Sequence, residues 1–82
     1  MTETQRTKAA SLLSLALGQI QARKYPEGLK TLDKILELNP RNHLAKGLTA
    51  YIYHMTGKFA EAKEIIKKLE RAGISYAKLI GL

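Results

Sequence analysis

Apolar residues recur along this chain at helical intervals. Leu29, Leu32, Ile35 and Leu36 fall three and four apart, and so do Ala62, Ile65, Ile66 and Leu69. That spacing stacks them on one face of an α-helix. Lys30, Asp33, Lys34 and Glu37 lie between the first set, and Lys63, Glu64, Lys67, Lys68 and Arg71 between the second; these charges form solvated faces. There is no sustained period-two alternation and no hairpin dipeptide between apolar runs, so strands are not expected. Local punctuation sets the helix ends. A first helix is predicted from about Thr7 to Arg23. Pro26 suits a first helical turn, where its missing N–H has no partner to lose, and a second helix runs from there to about Leu38. Asn39-Pro40 stops it, because a residue before proline avoids the helical region. A third helix runs from near Asn42 to before Gly57, and a fourth from about Phe59 to Ala72, ended by Gly73. Ser75 can cap a short last helix through Leu82. The expected class is all-α: two antiparallel helix–turn–helix hairpins plus a short C-terminal helix.

The chain also resembles itself. Lys24-Tyr25-Pro26-Glu27-Gly28 aligns with Lys58-Phe59-Ala60-Glu61-Ala62 at an offset of 34 positions. The same offset pairs Ala16 with Ala50, Leu32 with Ile66, Lys34 with Lys68 and Ile35 with Leu69. It also pairs Asn39 with Gly73, two residues suited to ending a helix in the left-handed conformation. A period of this length marks stacked supersecondary units. A helix–turn–helix of this period resembles the tetratricopeptide repeat, through Leu12, Leu15, Ala16, Tyr25, Gly28, Leu32, Ile35 and Pro40 in one copy. Ala50, Tyr53, Gly57, Phe59, Ala62, Ile66 and Leu69 carry it in the other. The resemblance covers about Ala9 to Tyr76. It implies close helix approach at Ala16 and Ala50, and again at Gly28 and Ala62, with Tyr25 and Phe59 packed beneath the hairpin turns. It divides the chain into a polar N-terminal extension (1–8), two hairpins (9–42 and 43–74) and a C-terminal capping segment (75–82). Lys46 and Thr49 depart from the family pattern, so the third helix is expected to pack less well, and Ile74 replaces the closing proline.

In this family the first helix of each hairpin lines a concave groove. Carried over by position, the groove residues are Ala10, Leu13, Leu17, Ile20 and Gln21, then Leu44, Gly47, Tyr51, His54 and Met55. The set is mostly apolar, which suits an amphipathic helix or an extended hydrophobic segment; Met55 adds an adaptable contact. The implied function is a protein–protein interaction module, a small chaperone or adaptor similar to chaperone-like subunits of bacterial secretion systems. Two repeats leave apolar ends open, so the same face equally suits a second copy of the chain, and a homodimer is expected. The C-terminal segment can fold back as a cap or leave that surface uncovered.

Composition narrows the chemistry. The chain has 82 residues, enough for one domain at most. It has no cysteine, which excludes disulfides and thiol catalysis and fits a cytoplasmic setting. No apolar run approaches the roughly 20 residues of a membrane span. His43 and His54 show no metal-ligand spacing; His43 is expected to be exposed, and no cofactor, metal site or enzymatic activity is expected. Glu27 and Glu61 recur with the repeat as first-turn helix residues. The net charge of +7 makes nucleic acid the rival partner, through Lys58, Lys63, Lys67, Lys68 and Arg71 with Lys30 and Lys34. Against it, the five aromatic residues fall at repeat-packing positions instead of alternating with basic ones.

The family relatives that clamp acidic C-terminal tails of heat-shock chaperones do so with Lys and Asn where this chain has Leu13 and Leu17. An acidic tail peptide titrated into the protein should therefore give no binding at micromolar concentration; micromolar affinity would refute this reading of the groove.

Overall fold

The computed structural model of the chain describes residues 2–81. Five helices follow one another: α1 (Glu3–Gln21), α2 (Tyr25–Leu38), α3 (His43–Met55), α4 (Phe59–Arg71) and the single turn α5 (Tyr76–Leu79). No strand occurs among the described residues. The chain divides into two compact units, Met1–Asn42 with α1 and α2, and His43–Leu82 with α3, α4 and α5.

In the first unit α1 starts at Glu3, earlier than its apolar spacing foretells. The reason is a capping box. Gln5 N donates to Thr2 Oγ1 at 3.2 Å, and Thr2 N donates to Gln5 Oε1 at 3.0 Å. Two otherwise orphaned amides are thereby satisfied, and Glu3 to Lys8 of the polar N-terminal extension form the first helical turns. α2 packs along α1 and buries Gly28, Thr31, Leu32 and Ile35, with Ala16 buried on the α1 side. The two helices also share a polar contact, with Thr31 Oγ1 2.7 Å from Gln19 Oε1 and 3.1 Å from Glu27 O.

In the second unit α3 packs on α4, and Ala50, Ile52, Ala62 and Leu69 are almost wholly buried. All four small residues expected at close approaches, Ala16, Ala50, Gly28 and Ala62, are buried. Thr49 is buried too, and its hydroxyl donates to Ala45 O at 2.8 Å; a buried hydroxyl with a partner carries no desolvation penalty of the kind an orphan would.

The turns show the repeat most directly. α1 ends with Arg23 N donating to Ile20 O (3.0 Å) and Lys24 N to Gln19 O (2.8 Å). α3 ends with Gly57 N donating to His54 O (3.2 Å) and Lys58 N to Tyr53 O (2.8 Å). This is one pattern, the Schellman closure, at equivalent positions. It requires a left-handed residue, with φ of 60° at Arg23 and 82° at Gly57. Gly73 closes α4 the same way, with φ of 79°. Asn39, its expected equivalent, does not. It is extended at φ −147° and ψ 96°, because Pro40 follows it and pushes it to the β region. Its side chain serves the turn, with Oδ1 accepting from Arg41 N at 3.1 Å.

Left-handed backbone costs a residue with a side chain about 1–2 kcal/mol. Arg23→Gly should therefore stabilise the chain, by about 0.5–1 kcal/mol once the greater freedom of unfolded glycine is deducted. At Gly57 an added Cβ meets nothing within 4 Å, so Gly57→Ala carries the conformational penalty alone and should destabilise by about 1 kcal/mol. Urea unfolding of both variants tests this; midpoints moving in the same direction would contradict it.

Candidate functional site

On α1 the expected groove residues occupy one side. Ala10 and Gln21 are exposed, Leu13 and Ile20 are half-buried, and Leu17 keeps 40% of its surface in water. Neighbouring Ala16 is fully buried, so the packed and open sides of the helix adjoin. Leu15 is 52% exposed as well. Two residues along a helix is a rotation of about 200°, which sends Leu15 away from Leu17, and no groove position was expected there.

On α3 the expected residues divide. Tyr51, His54 and Met55 come together with Ile66 of α4 and with Tyr76 and Ile80 around a pocket of about 390 Å³. Met55 is 48% exposed at its edge. Leu44 is half-buried and is not part of this pocket. Gly47, expected in an open groove, is buried. A Cβ built on it would lie 3.2 Å from Leu79 Cδ1 and 3.5 Å from Leu79 Cβ. The C-terminal segment therefore crosses α3 where no side chain obstructs it. Tyr76, Leu79 and Ile80 are half-buried there. Burial, and next the neighbouring Tyr51 phenol, raise the Tyr76 phenol above the usual tyrosine value. The sequence reading missed Ile66, Tyr76 and Ile80 as wall residues; the three- and four-residue spacing of Tyr76, Leu79 and Ile80 was their signal.

Two further residues differ from expectation. Phe59 is 60% exposed instead of sitting beneath its turn. As the first residue of α4 it turns its ring edge-on to His54, with centroids 5.2 Å apart at 67°, a favoured aromatic geometry. Lys58 beside it places Nζ 5.9 Å from the Tyr53 ring centre, within cation–π range. His43 is half-buried, not exposed, and its Nδ1 is buried without a hydrogen-bond partner. Among the described residues no group of three or more His, Cys, Asp or Glu is placed to hold a metal ion, and no helix is long and apolar enough to cross a membrane.

The arrangement offers apolar and aromatic surface, with a few hydroxyl and imidazole groups. A family profile described as tetratricopeptide repeat matches residues 5–73. No curated protein and no solved structure matches the chain. With four helices paired into two hairpins and that match spanning most of its length, the chain belongs to the tetratricopeptide repeat family, whose members generally serve as protein–protein interaction modules.

Proposed function

We propose that the chain holds apolar or amphipathic helices of partner proteins, as a small chaperone or adaptor, on the open face of α1 in the first unit and on that of α3 in the second. The observation that carries this is the exposure of Leu17 and Met55, at 40% and 48%, at positions where the family presents its ligand-facing side chains. Burying a leucine or methionine side chain fully is worth about 1.5–3 kcal/mol. A surface that leaves several half-exposed therefore holds binding energy in reserve. Tyr51, His54 and Met55 around the pocket add an aromatic, a polar and a flexible contact, the mixture that lets a site accept a helix and fix its register. The positive net charge, +7, raises the encounter rate with an acidic partner more than it sets affinity.

Helical probe peptides with an apolar stripe, read by fluorescence polarisation, test this. The wild-type chain should bind in the micromolar range. Leu17→Glu and Tyr51→Glu should each weaken binding about tenfold, or about 1.4 kcal/mol, with helicity unchanged by circular dichroism. Leu15→Glu, pointing the other way on α1, should leave binding intact. Equal loss in all three variants would mean general stickiness and would overturn the reading.

In the absence of a partner the same faces should pair between two copies. Sedimentation at tens of micromolar should give a dimer that Leu17→Glu dissociates; a clean wild-type monomer would exclude self-association as the way these faces are covered.

A further inference from the structure

The C-terminal segment, residues 75–81, occupies part of the α3 face that the proposed function assigns to a partner. It lies between two hollows, the pocket of about 390 Å³ described above and a second of about 530 Å³ lined by Ile66, Glu70 and residues 73–77. Tyr76 and Ile66 border both. The segment is weakly built. α5 is four residues long, far below the dozen or so at which an isolated helix holds together. Its cap is a 3.4 Å hydrogen bond from Lys78 N to Ser75 Oγ, beyond the usual range for N–H···O. Tyr76, Leu79 and Ile80 each keep some surface in water, whereas Ala50 and Ile52 of α3 keep none. Its one close fit is steric. Leu79 rests on Gly47, and glycine inside a helix costs about 1 kcal/mol relative to alanine, so α3 is weakened at the position where the segment needs room.

We propose that this segment is a displaceable strap and a template for the partner. A partner helix carrying an aromatic residue, then leucine three and isoleucine four positions on, takes the seat of Tyr76, Leu79 and Ile80 on α3. The inference rests on the binding role proposed for that face. The strap and the partner exclude one another, since both place a branched side chain against Gly47. A strap closed about nine-tenths of the time lowers apparent affinity about tenfold, because only the open fraction binds.

The test uses the full chain and a synthetic peptide repeating residues 74–82. Leu79→Asp should release the strap and bind this peptide about tenfold more tightly than the wild-type chain. A peptide with aspartate in place of the leucine that repeats Leu79 should bind neither. Equal binding by wild type and Leu79→Asp, abolished in both by Tyr51→Glu, would overturn the strap and leave the α3 face standing as a binding surface. Binding by neither chain would overturn the template, while the probe-peptide experiment on Leu17 and Tyr51 judges the binding role separately. Gly47→Ala supplies a second variant where Leu79→Asp folds poorly. Its methyl crowds Leu79 while favouring α3, so amide exchange at residues 79–81 should quicken severalfold as exchange within α3 slows. Unchanged exchange at residues 79–81 would overturn the proposal.

Discussion

The architecture depends on one backbone constraint, a single left-handed residue at the end of the first helix of each hairpin. Arg23 and Gly57 take positive φ, and the two amides that follow from each turn close onto equivalent carbonyls. This reverses the chain within three residues and aims the next helix back along the first. Everything that packs inside a hairpin follows from that direction. The small residues expected at the close approaches, Ala16 and Gly28 in one unit and Ala50 and Ala62 in the other, are all buried. One copy meets the constraint with a glycine and the other with an arginine under strain, so the backbone geometry is kept where the residue chemistry is not.

Within that frame the helices differ in how their apolar residues are spent. α2 concentrates its own on one side and buries Leu32 and Ile35 completely. α4 does likewise with Leu69, leaving Lys63, Lys67 and Arg71 in water. α1 is distributed differently. Only Ala16 is buried, while Leu12, Leu13, Leu15, Leu17 and Ile20 surround the helix at intermediate or full exposure. A small domain buries a modest share of its surface, and one whose first helix is apolar on several sides keeps surface to spend on binding. The second unit covers part of its own α3 by laying Leu79 over Gly47.

Much of this was legible in the chain. The one-sided stripes of α2 and α4 and the 34-position offset place four helices and their pairing, because both signals report packing that repeats. What escaped was local or lay outside the repeat. The early start of α1 depends on a polar capping box between Thr2 and Gln5, which apolar spacing cannot register. Asn39 and Gly73 match by offset, yet Pro40 overrides the match through steric contact with its own neighbour. Phe59 occupies the family's aromatic position but finds His54 instead of a core. The covering of Gly47 by Leu79 is not legible from the repeat, because the covering residue belongs to no repeat. On α1 and α3, Leu17 and Met55 keep 40% and 48% of their surface exposed. Gly47 differs, because Leu79 lies against it.

The account turns on whether the apolar faces of α1 and α3 are where a helix is held. Amide and methyl chemical-shift mapping of the full chain, titrated with an apolar-striped helical peptide, addresses that residue by residue. The account predicts shifts concentrated at Leu13, Leu17, Ile20, Tyr51 and Met55, with the signals of residues 76–80 moving as the strap leaves. Shifts confined to Lys63, Lys67 and Arg71 on α4, or to Leu15 on the far side of α1, would contradict it.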